Sequence, residues 1–128
     1  MARKVLIAED SAVIQNITRK VLQFQNFEIV SVKDGVSALN EIKSSDFDVV
    51  LMDINMPTMN GMECAKQIRA MEDPNKAGIP IVAITGNAQN FTVDQFKAVG
   101  INEYLPKPVD YDQLIDTVNK VITQEVKN

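Results

Sequence analysis

With 128 residues, 45% of them hydrophobic and 23% charged, the chain is long enough for one ordinary domain that buries roughly two thirds of its unfolded surface, and nothing in it reads as disordered. A formal net charge of −4 without a Lys/Arg run disfavours a nucleic-acid partner, and the absence of His excludes Ser-His-Asp and Cys-His catalysis, most zinc sites and phosphohistidine chemistry on this chain itself. The lone Cys64 has no internal disulfide partner, the opening Met-Ala-Arg-Lys is not followed by a signal-peptide core, and no stretch approaches the about 18–20 apolar residues of a membrane span, so a cytoplasmic single domain over residues 1–128, with no membrane partner, is expected.

Short apolar runs rich in β-branched residues alternate with stretches of helical period. Val5-Leu6-Ile7-Ala8 predicts a strand, and Ile14, Ile17, Val21 and Phe24 then recur at three-to-four spacing, which predicts a helix. Phe27-Glu28-Ile29-Val30 reads as a second strand, followed by a helix carrying Val36, Leu39 and Ile42 and started by Asp34, a residue able to accept from free backbone N–H groups. Val49-Val50-Leu51-Met52 is a third strand, and Ala65, Ile68 and Met71 mark the helix after it. Ile79 to Ile84 is a fourth, and Phe91 to Val99 a shorter helix ended by Gly100 in a left-handed conformation. A weaker strand around Tyr104-Leu105 precedes a last helix, capped by Asp110 and lined by Tyr111, Leu114, Ile115, Val118 and Ile122.

The first, third and fourth runs are apolar almost throughout, which suits strands covered on both faces of a parallel sheet. Five strands alternating with five helices, joined by right-handed crossovers and short loops, predict an α/β fold with a doubly wound sheet and helices on both faces.

In an open parallel sheet, ligands bind outside the carboxyl ends of the strands. Here the first strand ends on Glu9-Asp10, the third on Asp53, the fourth on Thr85-Gly86, and the fifth leads into Lys107-Pro108. Like charges repel by about 4 kcal/mol per pair at 4 Å and an effective dielectric near 20, so three clustered carboxylates call for a countercharge. Lys107 and a divalent cation would supply it, and Mg²⁺ suits an all-oxygen donor set of Asp10, Asp53 and Glu9, the last acting directly or through water.

Each residue also has an ordinary reading. Asp10 could cap the first helix, Thr85-Gly86 could be a plain strand exit, Lys107 a solvated charge and Tyr104 core. Asp53 resists such a reading, because a carboxylate following four apolar residues costs several kcal/mol unless it is compensated.

These segments together resemble the receiver domains of two-component response regulators, in the manner of a chemotaxis-regulator-like single domain. Val5-Leu6-Ile7-Ala8-Glu9-Asp10 resembles the family's acidic pair. Val49 to Pro57 with Gly61 resembles its phosphoacceptor segment, Ile84-Thr85-Gly86 its switch segment, and Tyr104-Leu105-Pro106-Lys107-Pro108 its final motif. The resemblance implies a flavodoxin-like sheet of order 2-1-3-4-5 and a cis Lys107–Pro108 bond. It also implies that Asp53 is the nucleophile, that Glu9, Asp10, Asp53 and the Asn55 carbonyl hold Mg²⁺, that Thr85 and Lys107 contact phosphoryl oxygens, and that Tyr104 is the switch aromatic. Asn55 and Asn87 stand where the family tunes the lifetime of the phosphoryl group.

The implied function is a phosphoacceptor switch rather than an enzyme, monomeric, with at most self-catalysed phosphorylation and dephosphorylation. Its phosphodonor would be a histidine kinase or a histidine phosphotransfer protein, and its output a protein surface, formed by the last two helices and the fifth strand, that binds a downstream target. A stand-alone regulator, a phosphorelay intermediate and a receiver taken from a hybrid kinase all remain open. Two other classes fit less well. A phosphatase of the haloacid dehalogenase type needs a second Asp where Asn55 stands, and a flavin module needs a phosphate loop where Glu9-Asp10 would repel phosphate.

Overall fold

The computed structural model describes residues 3–86 and 91–127. The apolar runs become parallel strands β1 (Lys4–Ala8), β2 (Glu28–Val32), β3 (Val49–Asp53), β4 (Ile81–Thr85) and β5 (Glu103–Pro106), in the sheet order β2-β1-β3-β4-β5. Between and after them lie α1 (Ala12–Phe24), α2 (Gly35–Ser44), α3 (Gly61–Arg69), α4 (Pro74–Ala77), α5 (Val93–Ala98) and α6 (Tyr111–Lys127). This is the expected doubly wound fold with one element more: α4 is a single turn, capped by Asp73 and opened by Pro74, too short to show a helical period in sequence.

Side chains alternate across a strand, so each strand feeds two cores. Leu6, Val50, Met52, Ile81 and Ala83 pack with Ala38, Leu39 and Ile42 of α2, Cys64, Ala65 and Ile68 of α3, and Phe96 of α5. Val5, Ile7, Leu51, Val82, Ile84 and Leu105 pack on the other face with Leu22 of α1 and Leu114, Val118, Val121 and Ile122 of α6. Both faces of β1, β3 and β4 are therefore dry, as their unbroken apolar runs require.

Helix ends follow their local chemistry. Asp34 accepts from the Ser37 N–H at 2.7 Å and Asp110 from the Gln113 N–H at 3.2 Å, as expected of N-caps. Gly100 takes φ +86, and the Lys107–Pro108 peptide is cis. The α1 stripe differs from expectation. Thr18 and Leu22 are the buried residues of this helix, whereas Ile17 and Phe24 are 43% and 86% exposed. At 100° per residue Thr18 and Leu22 lie one turn apart on the line facing the sheet, which leaves Val13, Ile17 and Phe24 facing outward.

Candidate functional site

The register of the sheet brings the chemistry together. Ala8 pairs with Met52, so Glu9 stands level with Asp53; Asp53 pairs with Ile84, one residue before Thr85; and Thr85 pairs with Pro106, one residue before Lys107. The Lys107 N–H donates to the Thr85 carbonyl at 2.9 Å, which fixes the start of the Lys107 loop against the end of β4. Four polar or charged residues are buried among the described residues, and three of them, Glu9, Asp53 and Thr85, stand at this edge. Packing alone would not gather them there.

Lys107 Nζ lies 3.3 Å from Glu9 Oε1 and 3.3 Å from Asp53 Oδ2. Asp53 Oδ1 accepts from the Asn55 N–H at 3.0 Å, and Glu9 Oε2 from the Ser11 N–H at 3.1 Å. Asp10 is exposed, and its carboxylate completes a set of oxygens from Glu9, Asp10 and Asp53 that lie within 4.8 Å of one another. Asp10 does not cap α1. Ser11 does, accepting from the Ile14 N–H at 3.4 Å.

Three carboxylates sharing a corner with one ammonium leave two negative charges uncompensated when all are ionised, and Glu9 responds. Burial, followed by the hydrogen bond and charge of Asp53, pushes Glu9 up to about 7 against the opposing Ser11 N–H and Lys107. Burial acts to lower the pKa of Lys107, but Asp53 and Glu9 outweigh it, so the ammonium is held charged. The site is acidic, oxygen-lined and short of cations, a donor set that fits a hard divalent ion such as Mg²⁺. A 560 Å³ cavity lined by Leu39, Lys43, Gln67 and Lys76 includes none of these groups, so its size says nothing about where the chemistry lies.

Two further groups shape this edge, and sequence reasoning passed over the first. The Gln15 amide donates to the carbonyls of Glu9 at 3.1 Å and Val32 at 2.9 Å, tying α1 to the ends of β1 and β2 and fixing the chain where the acidic pair begins. Its sequence signal is nil, since a Gln on a helix is ordinarily solvated. Gly61 opens α3 so close to β3 that a Cβ would stand 2.7 Å from the Asp53 carbonyl oxygen, a contact only glycine avoids. Tyr104, on β5, is 39% exposed, with its ring stacked on Phe96, centroids 5.3 Å apart at 21°. Asn87 lies outside the described residues.

The sequence model of the response regulator receiver domain matches residues 5–119, and the chain belongs to that family. It is 35% identical to the CAI-1 autoinducer sensor kinase/phosphatase CqsS of Vibrio cholerae over 91% of this chain and 17% of that protein. It is 25% identical to the polar-differentiation response regulator DivK of Brucella ovis over 95% of this chain and 98% of that one. The chain thus spans between 5% and 17% of the length of the first sensor and hybrid kinases it resembles. Among solved structures, the chemotaxis response regulator CheY4 of Vibrio cholerae matches with a TM-score of 0.85 and 31% identity, over 94% of this chain and 99% of that one. The receiver domain of a sensor histidine kinase of Pseudomonas aeruginosa, which holds a magnesium ion in its active site cleft, matches with a TM-score of 0.87 and 28% identity, over 96% and 99%. This is a receiver domain of two-component signalling, a switch module rather than a classical enzyme, and the phosphatase and flavin readings fall away. No helix among the described residues is long and apolar enough to cross a membrane.

Proposed function

We propose that Asp53 accepts a phosphoryl group from the phosphohistidine of a histidine kinase or histidine phosphotransfer protein. One observation carries the reading: the Asp53 carboxylate is buried at the end of β3, faces Lys107 Nζ at 3.3 Å, and shares its corner with Glu9 and Asp10. In the reaction an Asp53 carboxylate oxygen attacks phosphorus, the new O–P bond forms as the P–N bond breaks, and the electron pair leaves on the donor imidazole. A carboxylate nucleophile needs no general base. Glu9, Asp10, Asp53 and the Asn55 carbonyl would hold Mg²⁺, which when bound neutralises charge on the phosphoryl oxygens. Lys107 offers a second cation to those oxygens, and Thr85 a hydroxyl.

The donor must reach Asp53 past the helix that follows the acidic pair. That helix, α1, presents Val13 and Ile17, 68% and 43% exposed, together with Arg19 and Lys20 and no carboxylate of its own, a face suited to a protein partner bearing apolar and acidic groups. The aspartyl phosphate adds nearly two negative charges and three strong acceptors, drawing Thr85 inward and opening space into which the Tyr104 ring turns. A downstream target protein would read the resulting change on α5, β5 and α6, with the receiver acting as a cytoplasmic monomer.

The test is incubation with acetyl phosphate and Mg²⁺ followed by peptide mass spectrometry. Phosphate on Asp53, absent from Asp53→Asn, is the expected result. Uptake by Asp53→Asn at the wild-type rate would refute the assignment.

A further inference from the structure

The phosphoryl-driven turn of Tyr104 starts from a position that another side chain defines. Phe96, near the end of α5, is 2% exposed, and Tyr104, on β5, lies flat against it at 5.3 Å and 21°. Phe91 also packs on Phe96, at 5.9 Å and 48°, so the ring beneath the tyrosine is held in the core by a second aromatic neighbour. Both separations fall in the range where aromatic pairs attract beyond the area they bury. A tyrosine that turns toward Thr85 must give up this stack.

We propose that Phe96 is the positioning residue of the switch: its fixed ring holds Tyr104 in the outward position, setting how much of the phosphoryl group's binding free energy is spent before the surface changes. The proposal rests on the reading of Thr85 and Tyr104 given above and goes beyond it, because Phe96 belongs to the hydrophobic core and not to the acidic set of Glu9, Asp10 and Asp53. Any ligand that binds the inward state more tightly pays to break the stack, so weakening the stack tightens that ligand by the same factor. An aromatic pair of this geometry corresponds to an effect of about twofold to tenfold.

The chain has two tyrosines, Tyr104 and Tyr111, so labelling with 3-fluorotyrosine gives two ¹⁹F signals, separated by Tyr111→Phe. The full chain would be titrated with beryllofluoride in the presence of Mg²⁺, as wild type and as Phe96→Leu. Phe96→Met, which keeps more of the buried volume, serves if the leucine variant does not fold. Ile101→Val, a small cut in the same core layer that leaves the ring pair intact, shows what destabilisation alone does.

Before any beryllofluoride is added, the Tyr104 signal of Phe96→Leu should move toward the position wild type reaches when saturated. The variant should then bind beryllofluoride about twofold to tenfold more tightly, with a smaller remaining shift. Ile101→Val should match wild type in both respects. A folded Phe96 variant with an unmoved Tyr104 signal, or with unchanged or weaker beryllofluoride affinity, would overturn the proposal. A wild-type Tyr104 signal that ignores saturating beryllofluoride would instead overturn the underlying Thr85–Tyr104 reading, and the wild-type titration alone reveals that.

Discussion

Lys107 and Arg69 are partly buried cations at opposite edges of one sheet, and they are served in opposite ways. At the carboxyl edge, Lys107 is shared between Glu9 and Asp53 while Asp10 crowds the same corner, so attraction and repulsion coexist. At the amino edge, Arg69 faces neutral acceptors only. Its Nε donates to Gly100 O at 3.0 Å, Nη1 to the carbonyls of Ala77 at 2.7 Å and Ile79 at 2.6 Å, and Nη2 to Gly100 O at 2.6 Å and Asn102 Oδ1 at 3.0 Å. All five guanidinium N–H donors are spent. A buried ion whose hydrogen bonds are complete has nothing left to offer a ligand and acts as a fastener. One set among surplus like charges holds unfavourable energy that a cation or phosphoryl group can release.

The largest effect separating the two edges should come from Arg69→Met. It strands the carbonyls that join α3 to the entries of β4 and β5 and should cost roughly 3 kcal/mol or more of unfolding free energy, a large share of the 5–15 kcal/mol typical of a domain. Arg69→Lys should recover little, since one ammonium cannot span the planar fork. Urea unfolding measures the loss, and phosphate uptake per folded molecule should hold at the wild-type level. A cost below about 1 kcal/mol would mean that water replaces the fork, and the contrast between fastener and site would collapse.

The acidic edge should respond with the opposite sign. Asp10→Asn removes one member of a repelling set and should stabilise the metal-free protein by about 1 kcal/mol while abolishing most of its response to Mg²⁺. Wild type should gain about 2.7 kcal/mol when Mg²⁺ stands at a hundred times its dissociation constant. Thermal unfolding of both proteins with and without the ion decides the point, and a destabilised Asp10→Asn would contradict the picture of an edge under charge strain.

Proton linkage sharpens the same contrast. Glu9 is raised from 4.5 to about 7 in the folded protein, first by burial and then by Asp53, so folding favours its protonated form. The stability this adds is complete below the ordinary carboxylate range and is lost as pH rises through about 7 in the metal-free protein. Mg²⁺ competes with that proton, so its stabilising effect should grow across the same interval. Melting curves at both ends of the window, with and without Mg²⁺, should diverge in wild type and run closer together in Asp53→Asn. Parallel curves in wild type would show that Glu9 titrates like an exposed acid.

The acidic edge was legible in the sequence and the fastener was not, for a physical reason. Strand ends are marked by a local change, four apolar residues and then a carboxylate, and parallel topology carries those ends to one place whatever the details. Glu9, Asp10, Asp53, Thr85 and Lys107 stand at strand ends of that kind, and the register gathers them at one edge. Arg69 reaches across 31 residues to Gly100, and Gln15 across 17 to Val32, with no periodicity linking the partners. The orientation of α1 failed for a related reason. Hydrophobicity ranks Ile17 and Phe24 above Thr18, but the packing of the helix on the sheet chose the line through Thr18 and Leu22. The turn of α4 did carry a signal in Asp73-Pro74, one too short for any period to reinforce.

The smallest predicted effect concerns backbone strain, which also divides the two edges. Each edge needs a residue in the left-handed region. Beside Arg69 it is Gly100, at φ +86, where the absence of a Cβ removes the penalty. In the loop after Asp53 it is Thr58, at φ +66, a β-branched residue for which that region costs about 1–2 kcal/mol. The Thr58 hydroxyl donates to the Pro57 carbonyl at 2.6 Å, but the bond is exposed and recovers little of that cost. Thr58→Asn should therefore stabilise the protein by about 0.5–1 kcal/mol, since Asn tolerates the left-handed region without the added chain entropy of glycine. Asn26 already adopts φ +69 at the end of α1. Thr58→Gly should gain less, because its greater unfolded-state freedom offsets part of the relief. Denaturant midpoints for the two variants test the order. If both fall below wild type, the hydroxyl contact outweighs the strain, and the loop after Asp53 is as relaxed as the turn beside Arg69.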